Sequence, residues 1–193
     1  MTAFMRLVHS RHCANVGDYA ALHQWSVDHL GDFWSTLWDY AGIVAEARGE
    51  TVIADAGRMP GARFFPDARL NFAQNLLRRR DAGEAIVFRG ETKVTRRLSH
   101  AELYDAVSRV AQALTAAGVV KGDRVGAWLP NMPETIIAML AAASIGAIWT
   151  SCSPDFGAQG VIDRFGQTGP KVLFACDGYF GNGKAISSLA AAV

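Results

Sequence analysis

A glycine-rich run with a single lysine, residues 177–184, is the segment of the chain best suited to hold an anion. It reads Asp-Gly-Tyr-Phe-Gly-Asn-Gly-Lys and ends at Lys184. Successive backbone N–H groups beside a cation can bind a phosphate. The spacing matches neither the Gly-x-x-x-x-Gly-Lys-Ser/Thr loop nor the Gly-x-Gly-x-x-Gly turn of nucleotide-binding folds. The residues therefore permit a phosphate site here without identifying a nucleotide.

A second polar segment, residues 151–157, reads Ser-Cys-Ser-Pro-Asp-Phe-Gly and comes before a stretch with helical periodicity. Its hydroxyl and carboxylate groups suit two roles. They can cap the first turn of the following helix, or they can contact a ligand at the helix N-terminus. The residue types favour capping and leave a binding role open.

These segments follow short apolar runs in a part of the chain where strand and helix patterns alternate. Strands are predicted at residues 124–129, 147–151 and 171–176, with a helix opened by Pro133 and another near residues 156–165. Such alternation predicts an α/β fold with a partial, doubly wound parallel sheet. Ligands bind beyond the carboxyl ends of such strands, so residues 130–133 join the two polar segments as candidates. The apolar residues 185–193 are expected to be helix-like.

The preceding stretch predicts a β-hairpin and a capped helix. Residues 85–88 and 93–95 are β-prone and flank a turn at Gly90. Ser99 with Glu102 forms a capping box at the start of a helix that Gly118 can end. The expected buried stripe of that helix is Leu103, Val107, Val110 and Leu114.

The first 80 residues predict a helical appendage. In residues 30–40, four apolar side chains recur at helical spacing and form a face that must pack on something: Phe33, Trp34, Leu37 and Trp38. Residues 70–80 predict a short helix whose last turn carries three arginines, which suit the helix dipole. We therefore divide the chain into a helical region, residues 1–80, and an incomplete α/β domain, residues 81–193.

The amino-acid composition limits which partners and which kinds of site can be expected. The chain has 19 Lys and Arg and 18 Asp and Glu, so its formal charge is +1. A charge this close to zero produces no electrostatic field that would attract nucleic acid. Three cysteines without Cys-x-x-Cys spacing predict buried reduced thiols, and neither a disulfide framework nor a metal site. All five histidines lie in the first 100 residues, so no catalytic triad is predicted in the α/β part.

A membrane partner is not expected either. Residues 135–154 carry no charge over a length that could span a bilayer, but they are rich in small residues and are broken by Gly146 and Pro154. They predict a buried helix followed by a buried strand. The first 13 residues mix basic side chains with apolar ones and lack the apolar core of a secretion signal, which predicts a cytoplasmic protein.

Two long runs carry a resemblance to a known family. Residues 118–131, Gly-Val-Val-Lys-Gly-Asp-Arg-Val-Gly-Ala-Trp-Leu-Pro-Asn, together with residues 133–134 and 139–147, resemble an early region of adenylate-forming acyl-CoA synthetases. Residues 148–157 and the run Phe-Phe-Pro-Asp-Ala-Arg-Leu-Asn-Phe-Ala-Gln-Asn-Leu-Leu at residues 64–77 are similar to the acetoacetyl-CoA synthetase branch. The resemblance extends over nearly the whole chain from about residue 30.

The resemblance implies a two-step reaction. ATP adenylates a carboxylate, here acetoacetate, with release of diphosphate, and the thiol of CoA then displaces AMP. Magnesium and cationic groups stabilise the charge on phosphate during transfer. Such enzymes use a Ser/Thr/Gly-rich loop ending in lysine, an acidic residue for the ribose and a lysine in a mobile C-terminal domain. These features are not found in residues 1–193, so no catalytic or metal-binding residue is assigned.

The resemblance implies only a partial CoA site in this chain. The residues it assigns to the CoA side are Ser153, Pro154, Asp155, Phe156 and Lys184. Phe180 stands near a position where acetate-type relatives often have an arginine, which weakens the expectation of a phosphate contact there.

The resemblance thus implies that the chain is the N-terminal portion of an acetoacetate–CoA ligase, inactive alone because the motifs named above are absent. We also expect it to be prone to aggregate alone, because its sheet lacks further strands and helical cover. Two alternatives stay open. The parent enzyme could act on another short acid such as acetate or propionate. The chain could also be a noncatalytic binding module that uses the face formed by Phe33, Trp34 and Trp38.

Overall fold

The computed structural model describes residues 1–188. It divides the chain into two compact units, Met1–Leu70 and Asn71–Val193. The domain boundary that the sequence suggests, between residues 80 and 81, remains a prediction.

The first unit consists of three helices and a short antiparallel strand pair. Its elements are α1 (Thr2–His12), α2 (Tyr19–Asp28), α3 (Leu30–Ala41), β1 (Ile53–Ala54) and β2 (Arg63–Phe64). Asp18 begins α2, because its side chain accepts a hydrogen bond from the N–H of Ala21 at 2.8 Å. The buried cluster of this unit is Phe4, Val8, Val16, Leu22 and Trp25. The predicted helical region is confirmed in its helical character.

The apolar face of α3 packs inside this unit, as the sequence predicts. Phe33 and Leu37 lie against the buried cluster. The two tryptophans meet rings of the following loop and strand, with centroid distances of 5.4 Å for Trp34–Phe64 and 4.6 Å for Trp38–Phe65. These side chains therefore already have apolar partners within the unit.

The predicted helix over residues 70–80 is much shorter in the structure. Helix α4 spans Phe72–Leu76, so the arginines at positions 78–80 follow the helix and do not lie in its last turn. Further along the chain, the Asp81 carboxylate accepts hydrogen bonds from the Arg79 side chain and from the N–H of Gly83 in a local turn. Arg80 lies over the ring of Tyr104, with its guanidinium carbon 3.8 Å from the ring centroid. The dipole interpretation of these arginines is wrong.

The second unit contains the predicted hairpin, capped helix and parallel sheet. Besides α4, its elements are β3 (Glu84–Gly90), β4 (Val94–Ser99), α5 (His100–Ala116), β5 (Arg124–Trp128), α6 (Pro133–Ser144), β6 (Ile148–Cys152), α7 (Ala158–Thr168), β7 (Val172–Ala175), β8 (Gly178–Gly181) and β9 (Lys184–Ser187). Strands β3 and β4 are antiparallel. Ser99 and Glu102 form the capping box of α5 in both directions, which confirms that prediction.

The parallel sheet has the strand order β6-β5-β7 and helices on both faces. On one face, Val125 of β5 belongs to a buried cluster with Leu103 and Val107 of α5 and Leu140 of α6. On the other face, Trp128 lies in a smaller cluster of four buried residues that includes two from α7. Helical cover on both faces confirms the doubly wound α/β fold.

The uncharged residues 135–154 divide between α6 and β6. The helix is buried, as predicted, but in β6 only Cys152 is buried and Ile148 is 54% exposed. Strand β6 pairs with β5 alone among the described strands, which leaves its outer edge open. No helix formed by residues 1–188 is both long enough and apolar enough to cross a bilayer.

Candidate functional site

The glycine-rich segment forms a β-hairpin, not a phosphate-binding loop. Strands β8 and β9 pair antiparallel through Gly181 and Lys184, so Asn182 and Gly183 are the two turn residues. Their φ angles, 52° and 75°, are those of a type I′ turn, for which Asn-Gly is the preferred dipeptide. This dipeptide was the signal for a hairpin in the sequence. The helix-like prediction is wrong for residues 185–187, which continue β9, and residues 189–193 lie outside the described part of the chain.

A carboxylate of this chain occupies the turn amide that an anion would use. The N–H of Gly183 donates to Oε2 of Glu91 at 2.9 Å. Glu91 lies between β3 and β4 and has a φ of 53°, so one turn contacts the other. The phosphate nest suggested by the glycines is therefore not formed, although Lys184 remains an exposed cation next to the turn.

The polar segment at the end of β6 forms a tight turn that is closed by hydrogen bonds among its own residues. The N–H of Phe156 donates to the carbonyl oxygen of Ser153 at 3.2 Å. The hydroxyl of Ser153 donates to Oδ2 of Asp155 at 2.9 Å, and its oxygen accepts the N–H of Asp155 at 3.3 Å. The N-cap of α7 is Gly157, which has no side chain that could act as a cap. The capping prediction is wrong because Ser153 and Asp155 bind each other; Pro154, half-buried, lies within the turn.

Phe156 and Arg164 form a cation–π contact at this turn. Phe156 is 41% exposed, and the guanidinium carbon of Arg164 lies 4.1 Å from its ring centroid. Sequence reasoning missed Arg164, because Phe156 precedes α7 and helical spacing does not relate the two. The contact places a cation beside residues 153–156 that can attract a phosphate.

Tyr179 connects the hairpin to the turn. Its hydroxyl donates to Oδ1 of Asp155 at 3.0 Å. This hydrogen bond to a carboxylate raises the pKa of Tyr179 above its usual value, because losing the proton would place two anions together; partial burial acts in the same direction. No local pattern points to this partner, since residues 155 and 179 are brought together only by the parallel sheet.

Of the five residues assigned to the CoA side, the structure joins Asp155 directly to the strand pair that carries Lys184. Ser153 and Phe156 belong to the same turn as Asp155. Lys184 makes no ion pair within residues 1–188, and its side chain is exposed. These positions describe a possible site, and the CoA contacts themselves remain a prediction.

A cleft of about 770 Å³ separates the β3–β4 and β8–β9 hairpins. The segment after β5, residues 130–132, lines it, as expected for the carboxyl end of a parallel strand. Arg96 and Glu134 form an ion pair in its wall. Phe88, Met132 and Ile186 are among the apolar residues of its lining.

The described residues fit the implied cofactors only in part. Lys184 and Arg164 suit the phosphates of CoA, whereas the carboxylate of Asp155 does not. Within residues 1–188, no three His, Cys, Asp or Glu side chains come together as a metal site requires. We derive no step through ATP or magnesium from these residues.

The cysteines differ from one another in exposure. Cys152 is buried, and burial raises the pKa of its thiol. Cys176 is half-buried and Cys13 is exposed, so the prediction of three buried thiols is wrong for Cys13. Cys13 follows the last turn of α1 in a left-handed conformation, which places it at the surface.

Comparisons with known proteins connect this geometry to a family. The model of the AMP-binding enzyme family matches residues 73–192, and that of the acetyl-coenzyme A synthetase N-terminus matches residues 19–76. The acetoacetyl-coenzyme A synthetase of Rhizobium meliloti is 54% identical over 184 residues, covering 95% of this chain and 28% of the relative. The acetoacetyl-CoA synthetase of Macaca fascicularis is 41% identical, covering 89% and 26%.

A solved structure, acetoacetyl-CoA synthetase from Streptomyces lividans, matches with a TM-score of 0.91 and 41% identity over 99% of this chain and 30% of that chain. This chain therefore spans less than a third of the length of the relatives it matches. Because one family model alone covers more than half of its residues, the chain belongs to the AMP-binding enzyme family.

Proposed function

We propose that these residues are the N-terminal portion of an acetoacetate–CoA ligase, which converts ATP, acetoacetate and CoA to acetoacetyl-CoA, AMP and diphosphate through an acyl-adenylate. The observation that carries the proposal is the 54% identity with an acetoacetyl-coenzyme A synthetase over 95% of this chain. Identity at that level across both units is hard to reconcile with a shared fold alone. The TM-score of 0.91 supports the same proposal.

In this proposal the chain supplies scaffold and part of the CoA side. The parallel sheet sets the position of residues 153–156, and the β8–β9 hairpin presents Lys184 as a cation for a CoA phosphate. Phe180 cannot offer the charge that an arginine would, so Arg164 is the second cation that we assign to this role. ATP and magnesium belong to the proposed reaction, and their binding groups are expected outside these residues.

We also propose that the enzyme acts in the cytoplasm. Its three cysteines are all free, which is typical of a reducing compartment. We propose no nucleic-acid or membrane partner. A thiol-trapping assay in intact cells tests the location, since cysteines recovered in oxidised form would contradict it.

The activity is tested on the product of the full coding sequence that contains this chain. We expect acyl-CoA formation from ATP, CoA and acetoacetate, with a higher kcat/KM for acetoacetate than for acetate or propionate, measured by chromatography of the CoA thioester. A higher value for acetate or propionate would contradict the assignment of the acid. The 193-residue chain is the control, and we expect no product from it.

Binding by the 193-residue chain separates its share of the site from the rest. Calorimetric titration with CoA and, separately, with ATP and magnesium should show CoA binding without ATP binding. Lys184→Ala should weaken the CoA signal, while Lys93→Ala, an exposed lysine in the other hairpin turn, should not. ATP binding would mean that a nucleotide site lies within these residues after all.

A noncatalytic interaction module is the alternative function, and no contact among residues 1–188 favours it. The face of α3 that such a module would offer is engaged, since Phe33 packs on the buried cluster and Trp38 lies against Phe65. Trp34 is only 37% exposed.

A further inference from the structure

We propose that Tyr179 is a positioning residue that holds the β8–β9 hairpin, and with it Lys184, against the turn formed by residues 153–156. The inference rests on the proposed function, because the two segments that Tyr179 joins are those assigned to CoA. Of the assigned residues, Asp155 contacts the hairpin, and Tyr179 is its partner there.

A hydrogen bond joins Tyr179 to Asp155 of the turn. Asp155 uses both carboxylate oxygens, accepting Tyr179 at Oδ1 over 3.0 Å and Ser153 at Oδ2 over 2.9 Å. The bond to Ser153 is local and fixes the direction of the carboxylate. The bond to Tyr179 spans 24 residues of sequence and connects two different elements. A charged acceptor makes this bond stronger than one between neutral groups.

The register of β8 and β9 places Lys184 on the same face of the hairpin as Tyr179. Tyr179 pairs with Ile186, and Gly181 pairs with Lys184. Residues directly opposite in an antiparallel pair share a face, and alternate residues of one strand do so too. Tyr179 and Lys184 are therefore diagonal neighbours, with Cα atoms roughly 7–8 Å apart in such a pair. The face that turns Tyr179 towards Asp155 also carries the lysine.

The packing of the tyrosine ring supports this placement. A methyl group added at Gly181 would lie 3.2 Å from Cδ1 of Ile186 and 3.5 Å from a ring carbon of Tyr179. The ring thus leans along the hairpin towards Gly181, the residue that pairs with Lys184. The ring therefore lies beside the strand position opposite the lysine.

The hairpin has a second attachment, which lies at its turn. Its turn is held by the hydrogen bond from Gly183 to Glu91, and its body is held by Tyr179. Without the Tyr179 bond, the strand face that carries Tyr179 and Lys184 loses its hydrogen bond to residues 153–156, while the contact with Glu91 remains.

The test uses the full-length protein and the substitution Tyr179→Phe, which keeps the ring and removes the hydroxyl. We expect the KM for CoA to rise about three- to ten-fold, the effect of one hydrogen bond, while kcat and the KM for ATP stay unchanged. Tyr104→Phe is the matched control, because the Tyr104 hydroxyl makes no hydrogen bond within residues 1–188 and its ring keeps Arg80. An unchanged KM for CoA in an active Tyr179→Phe enzyme would overturn the inference.

A double-mutant cycle with Asp155→Ala tests whether Tyr179 acts through Asp155. The two changes should be non-additive in the KM for CoA, because either one breaks the same bond. Additive effects would show that Tyr179 acts by another route and would reject the proposal.

A wild-type protein that makes no acyl-CoA refutes the proposed function, and the positioning role is then decided by amide hydrogen exchange. Tyr179→Phe should speed exchange across residues 178–187 and leave α5 and α6 unchanged. Equal exchange in both proteins would refute the positioning role independently of activity.

Discussion

The layer of α5 and α6 on the sheet and the β8–β9 hairpin are held in place by different forces. The first buries Leu140, Val125 and Val107 almost completely. The hairpin has both Phe180 and Ile186 about 40% exposed and is attached through two side-chain hydrogen bonds. The apolar layer is stabilised by burial spread over many residues, whereas the geometry of the hairpin depends on a few polar groups.

This difference predicts which part of the molecule a substitution affects. Burial contributes about 25 cal/mol per Å² and is shared among many neighbours, so truncation of a core residue destabilises the whole unit. A hydrogen bond at the surface contributes about 1 kcal/mol, so its loss shifts one segment. Substitutions in the α5–α6 layer should therefore change the free energy of unfolding, whereas substitutions in the hairpin should change the contacts with the ligand.

Leu140→Ala should have the largest effect on stability. Leu140 is 2% exposed, and truncation of a buried leucine costs about 2–5 kcal/mol through lost burial and the cavity that remains. The free energy of unfolding in urea measures this loss. Leu173→Ala is the control, because Leu173 is 47% exposed and its truncation should cost less than about 1 kcal/mol. Equal costs would remove the distinction between layer and surface.

Gly178→Ala should disturb the hairpin and spare the layer. A methyl group there would lie 2.6 Å from the carbonyl oxygen of Ile186, an overlap with backbone that the strand pair must relieve by moving. We expect about 1–3 kcal/mol of local destabilisation, seen as faster amide exchange in residues 178–187.

Gly166→Ala is the matched control for that change. Gly166 lies within α7 with open space around its Cα, so alanine should stabilise the helix by about 0.5–1 kcal/mol. Comparable exchange of the hairpin in both variants would contradict the predicted overlap at Gly178.

Ser99→Ala should destabilise the protein by about 1 kcal/mol, because it removes the N-terminal cap of α5. It should also weaken the dependence of stability on acid pH. The N–H and hydroxyl of Ser99 donate to the Glu102 carboxylate and lower its pKa. A lowered pKa means stability that is fully present above the unfolded value, about 4.3, and is lost as the pH falls through the folded value.

Urea denaturation between pH 7 and pH 3 measures both effects. Glu102→Gln keeps hydrogen-bonding atoms for the box and removes the titrating group, so it should flatten the acid dependence further than Ser99→Ala does. An acid profile unchanged by Glu102→Gln would show that other carboxylates determine it.

Sequence reasoning succeeded where local pattern and burial agree. The capping box of Ser99 and Glu102, Pro133 in the first turn of α6 and the three parallel strands all lie where the pattern predicts. It failed where a nearby polar group competed with the pattern. Arg79 pairs with Asp81 in a turn beyond the end of α4, and Ser153 and Asp155 bind each other instead of capping α7.

The amino-acid sequence by itself determined the order of strands and helices from β3 to β7, the parallel sheet and the family resemblance, because periodicity and caps act over a few residues and long runs identify relatives. Only the tertiary structure decided the contacts that join distant segments: Asp155 with Tyr179, Glu91 with Gly183, and Arg164 over Phe156. Such contacts depend on how the sheet brings strand ends together, and no local spacing encodes that distance.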